Sequence, residues 1–341
     1  MKKHKSILVI GYKLGDPKKT GGFIVYMQNV LQDLKELGVE YELINSNAQF
    51  YKNLPHLFVS VVSAFFKKFR NFDHISLHAT TNHLPILGSV VVFFGKMFGK
   101  TVSVQKNAGR FNREYENFDP VRRWLTRYVL KNADLIFFET KYLVEYFKHF
   151  NPRTYWQPNI RRNPNHVYKD KEYKKRFAFI SLVSVSKGID ELLEACDMLD
   201  DSYVIDIYGK TLEEKYTKEY FEKHKASYKG PLSSTEVQQK IKEYDVIVLP
   251  SHEEGYPGII LEAYSFGIPV LTTTLQPIKE IVENEKNGIL VEPKDVNSLY
   301  QGFLAFDKEN YNTMSKNAYD SFSQFDSLKQ TRRMVDLIDD L

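Results

Sequence analysis

The chain has 341 residues, long for one core and suited to two α/β domains of about 150 residues each. Its single cysteine, Cys196, excludes an intramolecular disulfide framework and fits a reducing cytoplasm, while 43% hydrophobic residues support substantial cores. The net charge of +4 hides an asymmetry: residues 1–170 carry 26 Lys and Arg against 13 Asp and Glu, a net of +13, and the remainder carries 21 against 30, a net of −9.

In chain order, Ile7 to Ile10 is an apolar run too short for a signal-peptide core and reads as a first strand. The loop Gly11 to Gly22 leads into an amphipathic helix with Met27, Val30, Leu31, Leu34 and Leu37 on one face and Gly38 as its stop. Strands follow at Tyr41 to Ile44, His74 to Leu77, Thr101 to Val104 and Leu135 to Phe138, with helical patterns between them. The apolar stretches Leu57 to Phe66 and Leu84 to Gly95 fall short of the roughly 20 residues a membrane span needs. Asn151 to Pro164 and the charged run Lys169 to Arg176 read as a linker, Cys196 as helix packing. A second series has strands at Phe177 to Val183, Tyr203 to Tyr208, Val246 to Leu249, Val270 to Thr273 and Gly288 to Val291, and a helix is expected from about Ser321 to Leu341. Such alternation predicts doubly wound, mostly parallel sheets.

The segment Ser251 to Gly267, SHEEGYPGIILEAYSFG, concentrates the chemistry. It follows a buried-strand pattern, so the turn lies at a strand's carboxyl end. Pro257 suits the first helical position and Gly267 with Pro269 the stop, which predicts a helix over about Gly258 to Phe266. Unsatisfied N–H groups there would favour an anion, so a diphosphate could rest on Gly255, Tyr256, Pro257 and Gly258. Glu262, about one turn into the helix, could accept hydrogen bonds from a ribose diol. Glu254 lies on the loop nearer the reacting end of such a ligand.

Glu254 and Glu262, separated by seven residues inside PSxEEGxPxxxLEAxxxGxPV and followed by Glu280 and Asn287-Gly288-Ile289-Leu290-Val291, closely resemble the signature of family-four GT-B glycosyltransferases. The strong part of the likeness covers about Phe179 to Asp295. It implies an α/β GT-B fold: two Rossmann-like domains facing across a cleft, residues 1–165 on the acceptor side and 166–320 binding the nucleotide sugar, with the helix near 321–341 packing back on the first. It implies a retaining transferase, with Glu254 beside the donor sugar, Glu262 on the ribose and Lys187 neutralising the diphosphate. It also implies a paired-glycine loop near the first helix, represented here by Thr20, Gly21 and Gly22, where backbone can approach a phosphate or acceptor closely.

Two positions depart from the family pattern. Leu182 stands where relatives often carry an arginine, removing one cation from the diphosphate; Lys210 or a basic residue of the first domain could compensate. Many relatives end a first-domain strand in His-Gly, whereas this chain reads Val104-Gln105-Lys106-Asn107-Ala108-Gly109. His78 and His83, in the loop after another strand, could contact donor or acceptor, and His252 could orient the glutamate loop. No His pairing has metal-ligand spacing and no Asp-x-Asp motif is present, so no metal and no cofactor is expected beyond a UDP- or GDP-sugar substrate.

The expected reaction transfers a sugar from that donor to a glycan or lipid-linked glycan, as in bacterial surface polysaccharide (capsule, lipopolysaccharide) synthesis by similar proteins. The basic first half suggests an anionic membrane surface as partner: Lys67, Lys68 and Arg70 follow an apolar run, and Arg122, Arg123 and Arg127 flank Trp124. Without an RNP-like motif or zinc spacing, nucleic acid is not expected. The expected location is cytoplasmic, peripheral at the inner membrane face. Two other classes stay open: a nucleotide-sugar-binding subunit without turnover, and a sugar-nucleotide epimerase, which would release sugar without an acceptor. A dinucleotide dehydrogenase fits less well, because Gly11 to Gly22 lacks GxGxxG spacing.

Overall fold

A computed structural model of the protein describes residues 4–13, 15 and 21–341. The chain divides into two compact units, one of residues 1–162 with 326–341 and the other of residues 163–325. Each is built on a six-stranded parallel sheet.

The first unit runs β1 (Ile7–Gly11), α1 (Gly22–Glu36), β2 (Tyr41–Asn45), α2 (Leu54–Lys68), β3 (His74–Ala79), α3 (Leu84–Met97), β4 (Thr101–Lys106), α4 (Phe111–Glu116), α5 (Pro120–Asn132), β5 (Leu135–Phe138), α6 (Lys141–Phe147) and β6 (Thr154–Trp156). Strand order is β2-β1-β3-β4-β5-β6. Alternation along β1 sends Leu8 and Ile10 to one core with Leu57, Val61, Phe65, Leu87, Val91 and Val129 of α2, α3 and α5. Ile7 and Val9 go to the other, with Tyr26, Met27, Val30 and Leu34 of α1. Strands covered on both faces need continuous apolar runs, which explains ILVIG and LIFF.

The second unit runs β7 (Arg176–Ile180), α7 (Ile189–Asp197), β8 (Val204–Tyr208), α8 (Lys218–Phe221), β9 (Ser227–Gly230), α9 (Ser234–Lys240), β10 (Val246–Leu249), α10 (Gly258–Tyr264), β11 (Val270–Thr273), α11 (Gln276–Lys279), β12 (Gly288–Val291), α12 (Val296–Leu304) and α13 (Tyr311–Ser321), in strand order β12-β11-β10-β7-β8-β9. The last helix, α14 (Ser327–Asp339), places Met334, Val335 and Ile338 in the core beside α1. Buried Asp33 of α1 accepts from Arg162 at 2.8 Å and from Thr331 of α14 at 3.1 Å. Residue 161 pairs with 326 as a short parallel bridge.

The elements differ from the sequence expectation at their edges. Thr154–Trp156, read as linker, is a strand whose register with β5 is fixed by three pairs. Ser227–Gly230 was not expected as a strand either. Both are sheet edges of three or four residues, too short for a period to show. Pro257 caps α10 with extended backbone rather than opening it, and the helix ends at Tyr264. The helix expected from 321 begins at Ser327, where Asp326 caps it through the Lys329 N–H.

Candidate functional site

In the second unit, the loops leaving the carboxyl ends of β7 and β10 meet. Gly188 makes this possible: with φ +72° it caps α7, and a Cβ there would lie 2.1 Å from the Pro250 carbonyl oxygen. Lys187 is thereby held against the segment after β10, where its Nζ donates to Glu254 Oε1 at 2.6 Å. The same oxygen accepts from Ser251 Oγ at 2.7 Å. Ser251 is fully buried, and its carbonyl accepts from Thr273 Oγ1 of β11 at 2.7 Å. The Glu254 side chain is 9% exposed and that of Lys187 20%, so a small molecule reaching this pair meets a largely desolvated charge of each sign, the carboxylate held by the Ser251 hydroxyl.

His252 binds the loop elsewhere. Its Nε2 lies 3.0 Å from Glu191 Oε1 in the first turn of α7, and its backbone N–H donates to the Ser186 carbonyl at 2.9 Å. Gly255 follows in the turn, Tyr256 and Pro257 are buried beneath it, and Gly258 opens α10. Glu262 is half-buried on the same helix, its carbonyl accepting from Ser265 Oγ. Leu182 is 47% exposed. One residue on, Val183 donates to the Lys210 carbonyl at 2.9 Å, which brings Lys210 to the loop where the family's arginine is missing.

The first unit presents its own polar cluster at the carboxyl ends of its strands. His78, expected in a loop, is instead the fully buried penultimate residue of β3; its Nε2 meets Ser76 Oγ at 3.1 Å and its Nδ1 has no hydrogen-bond partner. Burial lowers it to about 3, leaving a neutral ring 6.0 Å from that of Tyr26. His83 lies just before α3, and burial lowers it as well. Gly21 caps α1 with extended backbone, Gly22 opens it, and both are exposed with open space around them. Thr20 lies outside the described residues.

The residues standing in place of the His-Gly pair were passed over in the sequence. Lys106 is 1% exposed at the end of β4, its Nζ donating to the Asn107 carbonyl at 3.2 Å and lying 4.9 Å over the Phe111 ring. Glu139, one residue past β5, is 6% exposed. Desolvation pushes Lys106 down to about 8 and Glu139 up to about 7, each opposed by the other's charge. Gln105 Oε1 and both side-chain polar atoms of Asn107 and Gln157 are buried without hydrogen-bond partners. Unfilled buried donors and acceptors beside a charged pair suit a hydroxyl-rich ligand. The available signal was a charged residue ending an apolar strand, in TVSVQK and LIFFE. Among the described residues no group of three or more His, Cys, Asp or Glu is placed to hold a metal ion.

Residues 162–321 match the family model described as glycosyl transferases group 1. Over 103 residues the chain is 35% identical to the Escherichia coli UDP-Gal:alpha-D-GlcNAc-diphosphoundecaprenol alpha-1,3-galactosyltransferase, covering 30% of this chain and 27% of that protein. Over 144 residues it is 31% identical to the putative colanic acid biosynthesis glycosyltransferase WcaL of Escherichia coli K12, covering 37% and 34%. The chain spans less than half the length of the curated relatives it matches first. Among solved structures, Anabaena HepE in complex with UDP superposes with a TM-score of 0.74 at 16% identity, covering 98% of this chain and all of that one. With the two parallel sheets, that likeness shows the GT-B fold. The likeness to group 1 glycosyl transferases thus lies in the unit that holds the Lys187–Glu254 pair.

Proposed function

We propose that the protein is a retaining glycosyltransferase that moves a sugar from a nucleoside diphosphate donor to a hydroxyl of a glycan or lipid-linked glycan, in the assembly of a bacterial surface polysaccharide. The observation that carries this reading is the buried Lys187–Ser251–Glu254 arrangement at strand carboxyl ends, inside the family match. The UDP complex of the HepE neighbour and the undecaprenol-linked acceptor named for the galactosyltransferase relative favour a UDP-sugar and a membrane-borne acceptor. A GDP-sugar is the other donor to test.

In this reading Lys187 leaves Glu254 for the donor's diphosphate, with Lys210 replacing the cation absent at Leu182, and the backbone N–H groups of Gly255, Tyr256 and Gly258 complete the cradle. Glu262 holds the ribose diol. The bond from the anomeric carbon to the phosphate oxygen breaks, and the diphosphate departs with the electron pair. The acceptor oxygen bonds to the same face while its proton passes to the departing phosphate oxygen, so no separate base is required. Glu254, released from its ion pair, stabilises positive character at the anomeric carbon. Lys106, Glu139, His78 and His83 would meet the acceptor, and Gly21 and Gly22 would leave backbone open to it or to the donor.

The test is ligand-observed NMR of the purified protein with uridine, guanosine, thymidine and adenosine diphosphate sugars, followed by transfer assays. Glu262→Ala should abolish donor binding, whereas Glu254→Ala should keep binding and lose turnover. Binding to none of these donors by folded protein would overturn the reading.

A further inference from the structure

The first unit's sheet is covered very differently on its two faces. Helices α2, α3 and α5 share one core, and α1 and α14 the other. The covering helices α1 and α14 carry carboxylates, among them Asp33, Glu36, Asp336 and Asp339. Across Leu54–Lys68, Leu84–Met97 and Pro120–Asn132 there is no Asp or Glu, against seven Lys and Arg. The charged side chains of these three helices are therefore of one sign, while acids of the same face lie on neighbouring elements such as α4 and α6.

The same helices turn large apolar side chains outward. On α3, Ile86, Phe93 and Met97 are 51%, 50% and 54% exposed, and with half-buried Val90 they fall at i, i+4, i+7 and i+11, one stripe along the helix. The core-facing stripe of α3 is formed by Leu84, Leu87, Val91 and Val92, and the outer stripe lies outside that core. Phe66 of α2 joins it edge to face with Phe94, ring centroids 4.7 Å apart. At the far end Arg70 stacks over Phe98 at 4.7 Å. Trp124 and Val121 of α5, both 65% exposed, extend the patch, with Arg122, Arg123 and Arg127 around them. Two of the cations are paired with carboxylates, Lys68 with Glu42 and Lys96 with Asp134, whereas the α5 arginines donate only to neutral groups, Arg122 to Asn82, Arg123 to the Glu116 and Phe118 carbonyls and Arg127 to the Tyr115 hydroxyl, so their charge stays uncompensated there.

We propose that this face of α2, α3 and α5 is a docking surface for an anionic lipid bilayer, lying on it with the α3 stripe and Trp124 in the headgroup and upper acyl region and the basic residues at the phosphates. Exposed apolar area of this extent on a soluble surface marks an interaction site, and its companion charges choose the partner: an apolar protein face would not need them, whereas anionic lipid rewards each one. Helix α3 begins after the short loop 80–83 that follows β3, so a lipid-linked acceptor lying in the docked leaflet would have its head group presented to the first unit's polar cluster. Only that last purpose rests on the proposed transferase function; the docking itself does not.

The experiment is co-sedimentation of the full chain with vesicles of phosphatidylcholine alone and with about one third phosphatidylglycerol, at low and high salt. Partition into anionic vesicles is expected at least tenfold above neutral ones and should weaken with salt. Phe93→Ser with Met97→Ser should lower it about tenfold or more at either salt. Arg122→Gln with Arg127→Gln should remove most of the salt dependence. Circular dichroism melting of each variant separates loss of docking from loss of fold. Failure of wild-type protein to sediment with anionic vesicles would overturn the proposal. So would concentration-dependent dimerisation in light scattering, abolished by the α3 pair, without vesicle binding. Donor binding measured on the same preparations reports on the transferase reading separately.

Discussion

Replacing Gly188 with Ala should damage both stability and donor binding, because this residue holds the two halves of the charged pair together. An added Cβ would sit 2.1 Å from the Pro250 carbonyl oxygen and 2.8 Å from its carbon. Real Cβ contacts start near 3.0 Å, so the β7 and β10 loops must part by about 0.9 Å at a point one residue from Lys187 and one from Ser251. Left-handed backbone at φ +72° costs an alanine about 1–2 kcal/mol, and the forced separation about 1–3 kcal/mol more. For a unit of this size that lowers Tm by very roughly 5–15 °C, and a misplacement near 1 Å costs turnover about a hundredfold. Gly230 supplies the control: its φ is +85° with nothing within 4 Å of an added Cβ, so Gly230→Ala bears only the backbone cost. Calorimetry with donor titration by NMR would measure both. If the two variants melt alike and bind donor alike, the close approach at Pro250 does not hold the site and the reasoning fails.

Removing the Ser251 hydroxyl takes one of two donors from Glu254, so Ser251→Ala should cut kcat about tenfold with little change in KM, and Ser251→Thr should restore part of it; equal effects on both constants would contradict a positioning role. His74 and His78 are each held near 3, against about 6.5 in an unfolded chain. Between those values the unfolded chain binds more protons, so each histidine removes about 1.4 kcal/mol per pH unit as pH falls from 6.5 toward 3. Glu139 acts in the opposite sense: raised to about 7, it withdraws stability as pH rises from about 4.5 through 7. Urea unfolding of Glu139→Gln should therefore lose stability more steeply than wild type as pH falls from 6.5 to 5, and an unchanged slope would show that Glu139 titrates normally. Asp33→Ala leaves Arg162 and Thr331 without their shared acceptor and should cost about 3 kcal/mol in the same assay, seen in the first unit's transition; a loss below about 1 kcal/mol would mean that this network is not what seats α14.

The alternation of strands and helices was legible because each central strand is covered on both faces and so appears as an unbroken apolar run, as in ILVIG, LIFF and VIVL. Edge strands lack that requirement, and TYW and SYKG carried no such mark. The loop from Ser251 to Gly258 was conspicuous because its glycines, proline and carboxylates are all local to one turn. The Lys106–Glu139 pair was not. Its meaning depends on two strands 33 positions apart in sequence ending side by side, and on both side chains being sealed from water, neither of which local sequence records. The outer stripe of α3 was hidden for a related reason. A helix apolar on both faces reads as buried, and only packing reveals which face was left over.

The bridge between residues 161 and 326 also bears on the order in which the molecule can be made. The second unit is a continuous stretch, 163–325, whereas the first needs Met334, Val335 and Ile338 to close its α1 core. During synthesis, the unit encountered second can complete its core while the unit begun first still waits with Ile7, Val9 and Val30 uncovered. A chain stopped before residue 326 should therefore hold a folded second unit joined to an open, aggregation-prone first one, and a chaperone's task on this protein would fall on the residues translated earliest.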